Sequence, residues 1–284
     1  MVVEVGAHPG RLKAYAGFVK LEHTVFSLPL IFAGALLGGP LTLRLAVLML
    51  LAALGGRVMA MGLNRLIDAK LDACNPRTKI RELPSGAMRR GEAWAIVGLA
   101  GLLYAASAAA ISPLCLRLSP IPVILFAGYP YLKRFTTLAH LGLGLAWSTA
   151  PLGGWLAVAR SPAELGSIRY LWLFAVCWVA GFDIIYATMD EAFDREFGLR
   201  SLPAKIGKRP ALRAAALLHL LALTALYQLW KTQLHGALAP AWLAAVAALL
   251  VWQHAIAERR PAFAFFQINA IVGFAVLGLI FAGI

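Results

Sequence analysis

Two short stretches carry side chains able to do chemistry together: Asn64, Asp68 and Asp72 in one, and Tyr186, Asp190 and Asp194 in the other, each set at steps of four residues. Steps of four on an α-helix return to nearly the same face, drifting by about 40° each, so each stretch presents a polar stripe in one direction. Carboxylates beside long apolar runs are costly unless they pair, bind a cation or face water, which makes them a functional site by default. Facing each other, the stripes would supply five oxygen-bearing side chains at metal-binding spacing (Asn64, Asp68, Asp72, Asp190 and Asp194), with Asp183 about two turns deeper. Hard oxygen donors favour Mg2+, which keeps waters and is usually completed by substrate phosphates rather than by a protein cage. The site therefore expects a phosphorylated ligand, its anionic oxygens met by the arginines and lysines of the loops that follow each stripe.

The elements that must hold these stripes are membrane spans. The 284-residue chain is 61% hydrophobic and only 14% charged, against about 25% charged for a soluble globular domain. Nine apolar runs have roughly spanning length: 14–39, 44–72, 91–111, 118–135, 140–160, 168–196, 210–230, 237–257 and 262–283. The first is too long for a secretory leader and lacks a small-residue cleavage site, so a retained span is expected, with no soluble domain before or after the bundle. The net charge of +13 does not indicate nucleic-acid binding, because of where it sits. Of 26 Lys and Arg, 21 fall at one end of the runs, and only Arg44, Arg117, Arg160, Arg169 and Lys231 at the other. That asymmetry implies a multi-pass protein of the cytoplasmic membrane with its N-terminus cytoplasmic, its C-terminus external and its site opening toward the cytoplasm. Cys74, Cys115 and Cys177 have neither a disulfide nor a zinc spacing.

The two stripes echo each other. Asp68 and Asp190, like Asp72 and Asp194, are 122 positions apart, and similar loops follow: Arg81-Glu82-Leu83-Pro84-Ser85-Gly86 and Arg200-Ser201-Leu202-Pro203-Ala204-Lys205. The expected fold is all-α, two four-helix pseudo-repeats (about 14–135 and 140–257) plus a final helix at 262–283, in a single membrane-embedded domain. Repeats of this kind commonly place the site between the halves. A polar head held at the interface, with Leu, Ala, Phe and Gly beyond it, suits a polyprenyl diphosphate. Magnesium and cations would stabilise the departing diphosphate. A dry pocket would shield the resulting allylic cation until an electron-rich acceptor attacks it.

Asn64-Arg65-Leu66-Ile67-Asp68-Ala69-Lys70-Leu71-Asp72, continuing through Asn75-Pro76-Arg77-Thr78 to Arg81-Glu82-Leu83-Pro84-Ser85-Gly86, resembles the first aspartate-rich motif of the UbiA superfamily of intramembrane prenyltransferases. Asp183-Ile184-Ile185-Tyr186-Ala187-Thr188-Met189-Asp190-Glu191-Ala192-Phe193-Asp194 resembles the second. Leu21-Glu22-His23-Thr24-Val25-Phe26-Ser27-Leu28-Pro29 and Tyr129-Pro130-Tyr131-Leu132-Lys133-Arg134-Phe135-Thr136 are similar to stretches of its 4-hydroxybenzoate polyprenyltransferase branch. The resemblance implies nine helices around a central cavity, Mg2+ dependence, a prenyl diphosphate donor and an aromatic acid acceptor, prenylated ortho to its hydroxyl in quinone-type lipid biosynthesis. It assigns metal and diphosphate to Asn64, Asp68, Asp72, Asp190 and Asp194, and diphosphate oxygens to Arg77, Arg81 and Lys205. Lys133 and Arg134 serve the diphosphate or the acceptor carboxylate, with Tyr186 among the binding residues. Asp190 and Asp68 are the catalytic assignments, Asp190 helping to deprotonate or orient the acceptor. The chain departs from the pattern at Arg65, where many members carry Asp, which removes one potential ligand. Dihydroxynaphthoate, homogentisate, haem or a glycerol phosphate lipid would use the same diphosphate chemistry. A cation-coupled transporter also accommodates membrane carboxylates, but runs three, five, seven and eight offer it almost no ionisable path.

Overall fold

The computed structural model describes residues 11–19, 28–159 and 165–284. Among them the fold is entirely helical: α1 (Arg11–Val19), α2 (Leu28–Gly38), α3 (Leu43–Cys74), α4 (Arg90–Ile111), α5 (Pro113–Leu118), α6 (Pro120–Leu132), α7 (Ala139–Ala159), α8 (Leu165–Ala187), α9 (Glu191–Glu196), α10 (Leu202–Ile206), α11 (Lys208–Gln233), α12 (Ala239–Ala257) and α13 (Pro261–Phe263), then a π-helical turn (Ala264–Ile268) running into α14 (Asn269–Gly283).

Among the described residues, eight stretches are long and apolar enough to cross a membrane: 43–74, 90–111, 113–132, 139–159, 165–187, 208–233, 239–257 and 261–283. The expected span at 14–39 falls partly on residues 20–27, as do Glu22 and His23, and these lie outside the described residues. Within them, that region consists of α1 and the 11-residue α2. The fourth run is displaced from 118–135 to 113–132 and broken at Ser119, because Pro113 and Pro120 each open a helix where their missing N–H costs nothing.

The first stripe lies on α3. Thr42 caps that helix, its Oγ1 accepting from Leu45 N at 3.3 Å. At 32 residues α3 is about 48 Å long, against a hydrocarbon core of about 30 Å. α3 is thus longer than the apolar layer is thick, and its polar residues gather in the last turns, which carry Asp68 and Asp72. It stops at Asn75, extended at φ −85° and ψ 119°, because a residue preceding proline is driven out of the helical region.

The second stripe does not lie on one helix, contrary to the spacing argument. α8 ends at Ala187, where Thr188 N, Met189 N and Asp190 N donate to carbonyls three residues back at 3.3, 3.1 and 3.1 Å. Thr188 Oγ1 adds a fourth bond, to Ile185 O at 2.7 Å. This tightening uses up the last carbonyls of the helix, and the chain restarts as α9 at Glu191.

Association among spans rests on close backbone approach, as expected where lipid removes the hydrophobic drive between helices. α2 and α7 meet through glycines in both directions: a Cβ on Gly34 would lie 2.0 Å from Pro151 O, and one on Gly154 would lie 2.0 Å from Ile31 O. α8 is the most enclosed span, with Phe174, Trp178 and Phe182 stacked along its core face.

Candidate active site

The loop between α3 and α4 ties the two stripes together. Asn75 Oδ1 accepts from Arg77 N at 2.9 Å, shaping the turn, while Asn75 Nδ2 donates to Asp190 Oδ1 at 2.9 Å. Arg77 then forks onto Asp190, through Nε to Oδ1 at 2.9 Å and through Nη2 to Oδ2, and its Nη1 donates to the Tyr186 hydroxyl at 2.7 Å. The guanidinium also lies over the Tyr186 ring, 4.8 Å from the centroid. Two bonds in parallel fix Arg77 in angle as well as position.

The first stripe is matched by other cations. Arg81 Nη1 donates to both oxygens of Asp72, at 3.0 and 2.8 Å. Lys133 Nζ reaches Asp68 Oδ2 at 2.5 Å, and Arg134 Nη2 bonds Ile67 O at 3.2 Å beside Asp68. Asp68 is buried, 3% exposed, yet each carboxylate oxygen faces a cation. Asn64 lies one turn deeper, beside Tyr129. Asp194 sits beside Asp190, Lys133, His140 and Ser201.

The electrostatics of the second arm differ between its two aspartates. Burial alone would raise the Asp190 carboxyl, but the Arg77 hydrogen bonds and charge, with help from Asn75, hold it below the usual carboxylate range. Burial pushes the Asp194 carboxyl up, the Ser201 hydroxyl pulls it down, and Asp190 pushes it up again. For Arg77, burial works against the charge, but Asp190 and Tyr186 outweigh it and raise the guanidinium further.

Most of the residues picked from sequence gather here. Asp68, Asp72, Asp190, Tyr186, Arg77, Arg81, Lys133 and Arg134 join by direct contacts, and Asn64 and Asp194 flank them. Lys205 stands exposed on α10, and its side chain joins the cluster through no ion pair or hydrogen bond among the described residues. Arg65 pairs with Glu82 and lies 5.7 Å from the centroid of Phe18 on α1, pinning the arginine-bearing loop, and its charge interacts with those of Asp72 and Arg81.

Three contributors are given no site role by the motif reading. Asn75 looks like a turn residue and bonds the far stripe. His140 accepts from Leu202 N at 3.1 Å through Nε2; a backbone N–H can only donate, so Nδ1 carries the proton it gives to Asp183 Oδ2 at 2.6 Å. Arg57 is the third. It lines a largely apolar cavity of about 320 Å³, together with Met49, Ala53, Gly56, Ala60, Tyr104, Phe126, Tyr129 and Trp147. Its guanidinium lies 5.0 Å from the Trp147 centroid, and its Nε has no hydrogen-bond partner in the protein. An arginine in mid-span was the available signal.

Among the described residues, no three His, Cys, Asp or Glu side chains form a group able to hold a metal ion by themselves. The carboxylates come as two pairs, one on each arm. That donor chemistry, hard oxygens in incomplete sets, fits a magnesium ion whose remaining positions belong to water and phosphate.

Residues 27–271 match the model of the UbiA prenyltransferase family. The chain belongs to that family. In structure it is similar to a UbiA homolog from Aeropyrum pernix K1, at 36% identity and TM-score 0.85, covering 92% of this chain and 97% of that one. The fold is shared as well with a UbiA homolog from Archaeoglobus fulgidus bound to GPP and Mg2+, at 18% identity, TM-score 0.71 and coverage of 95% and 98%. In sequence it resembles the 4-hydroxybenzoate octaprenyltransferase of Shewanella woodyi, 30% identical over 206 residues and covering 70% of each chain. That of Shewanella denitrificans is 35% identical over 150 residues, or 51% of this chain and 49% of that protein. The matched region thus spans between half and 70% of the length of these UbiA relatives.

Proposed function

We propose that this protein transfers a prenyl group from a polyprenyl diphosphate to an aromatic acid, 4-hydroxybenzoate above other acceptors, in quinone-type lipid biosynthesis. The observation that carries the reading is the joint between α3 and α8: paired carboxylates interleaved with Arg77, Arg81, Lys133 and Arg134, set against an apolar cavity. Support for the donor comes from the family, and support for the acceptor from the relatives named 4-hydroxybenzoate octaprenyltransferase.

Arg77, Arg81 and Lys133 hold the diphosphate oxygens, and the isoprenoid tail lies along the small-residue wall of α3. Asn64, Asp68 and Asp72 on one arm and Asp190 and Asp194 on the other would hold magnesium, which would supply Lewis-acid stabilisation of the leaving diphosphate. The bond from the allylic carbon to the diphosphate oxygen breaks, its electron pair leaving with the diphosphate. The ring carbon ortho to the acceptor hydroxyl bonds to the freed carbon, and the ring then loses its proton from that carbon to the departed diphosphate. Arg57 offers a guanidinium donor to the acceptor carboxylate, and the faces of Trp147 and Tyr129 exclude water. A carboxylate stabilised as Asp190 is makes a poor base, so its part is to aim Arg77. We also propose that the halves at 14–135 and 140–257 derive from a duplication, and that the clamp faces the cytoplasm.

The test is to incubate the purified protein with GPP, Mg2+ and a panel of aromatic acids, identifying products by mass. Prenylated 4-hydroxybenzoate, lost in excess chelator and restored by Mg2+, is expected. No product from any acid, or full turnover in chelator, overturns the reading.

A further inference from the structure

Tyr186 is gripped from one side by Arg77, and something must hold its other side. Phe265 does so, its ring centroid 4.2 Å from that of Tyr186, with Phe266 edge-on at 6.0 Å. Phe265 also meets Phe182, one turn up α8, at 5.3 Å. Two consecutive residues reach one tyrosine because the chain is π-helical over Ala264–Ile268. The wider turn brings neighbouring side chains closer to a common face than the α-helix allows, and such turns recur at functional sites.

A π-turn inside a membrane frees carbonyls from the regular ladder, and each would be costly if left unpaired. Here two buried amide side chains are aimed at them. Gln253 on α12, fully buried, donates Nε2 to Ala264 O at 2.8 Å. Asn269, 2% exposed, donates Nδ2 to Phe265 O at 2.8 Å. Asn269 Oδ1 in turn accepts from Gln253 Nε2 and from Trp178 Nε1 of α8, both at 3.0 Å. The amides thus bind the π-turn, α12 and α8 into one unit.

We infer that Asn269 and Gln253 are positioning residues: by satisfying the π-turn they seat Phe265 on Tyr186, which holds Arg77 at the angle needed to fork onto Asp190. The inference rests on the proposed diphosphate role of Arg77 and Asp190 for its kinetic consequence, but not for its structural one. Removing the Asn269 amide lets the turn relax toward a regular helix, rotates Phe265 off Tyr186 and loosens the loop at Arg77.

Four variants test it: Asn269→Leu, Phe265→Leu, the double, and Val276→Ala as a core-loosening control on the same helix. Val276 is fully buried and far from the π-turn in sequence. Backbone amide exchange over residues 75–81 and 186–190, followed by mass spectrometry, reads the loop directly. Asn269→Leu and Phe265→Leu are each expected to speed exchange there and to raise the donor KM by about three- to tenfold, the effect of losing one aromatic pair or hydrogen bond. The acceptor KM stays unchanged and the double is no worse than the more severe single, because both act through one contact. Val276→Ala should lower the unfolding temperature without moving either readout. Wild-type exchange at 75–81 and 186–190 in Asn269→Leu, or additive effects in the double, overturns the inference. If the wild type transfers no prenyl group at all, the functional reading fails and the exchange measurement still decides this one.

Discussion

Asp190 separates a chemical role from a merely structural one, because its two contributions differ in size. Asp190→Asn keeps the shape and one acceptor oxygen but removes the charge that receives two bonds from Arg77 and one from Asn75. Hydrogen bonds to charged groups are worth about 1.5–3 kcal/mol each. The Arg77 side chain is 33% exposed and keeps its Tyr186 partner, so solvent screening reduces the net stability loss to about 1–2 kcal/mol. For a chain of this size that is a fall in unfolding temperature of about 2–8 °C. Turnover should suffer far more. An Arg77 no longer aimed at the leaving oxygens costs about 10²–10³-fold, the usual loss for one preorganised donor. The assay is the initial rate of prenyl transfer in detergent, at a temperature well below the unfolding transition of both proteins. A rate within tenfold of wild type, with the unfolding temperature lowered as expected, would show that Asp190 only braces the loop.

Other expectations follow from the same geometry. Replacing Arg57 by Met keeps the stem that packs on Trp147 and removes the guanidinium, so the acceptor KM should rise at least tenfold while the donor KM holds; equal changes in both would remove Arg57 from the acceptor site. Because burial raises Asp194 while Asp190 is held low, Asp194 protonates before Asp190 as pH falls; where its ionised form serves turnover it contributes to the acid limb of the rate profile, and in Asp194→Asn that limb moves to lower pH. The two aspartates also act oppositely on stability. The raised Asp194 contributes stability that is complete below the ordinary carboxylate range and lost as pH rises through its own, whereas the depressed Asp190 contributes stability above the ordinary range that is lost as pH falls, and unfolding measured against pH in the two Asn variants should show both slopes. Gly34→Ala, which drives a Cβ to 2.0 Å from Pro151 O, should cost several °C of unfolding temperature without changing either KM.

Much of the site is legible in the residues themselves, because it is written in spacing. Asn64, Asp68 and Asp72 fall on one helix face by period alone, and the matching set 122 residues later marks its partner. The continuity of the second arm is not legible: residues 186–194 keep the same period, but Thr188 and a run of short backbone bonds end α8 between Tyr186 and Asp190. Spacing cannot distinguish a helix from a helix, a turn and a second helix of equal length. Partnerships are invisible for a related reason. That Arg77 reaches across to Asp190 while Arg65 turns to Glu82 depends on how a loop folds over two spans, and both read simply as basic residues near a motif. Arg57 and His140 stand alone in apolar sequence, and only the folded chain gives them partners: Trp147 for Arg57, and Asp183 with the α10 backbone for His140.

The break between α8 and α9 makes the two arms unequal in how they can change over evolutionary time. On α3, one inserted residue between Asp68 and Asp72 would swing everything beyond it by about 100° and carry Asp72 off the shared face. The turn at 188–190 is not locked to a helical period, so a residue gained or lost there shifts α9 without twisting α8. If both arms arose from one ancestral unit, the second is the one free to drift in length, and differences in reach among relatives should accumulate there.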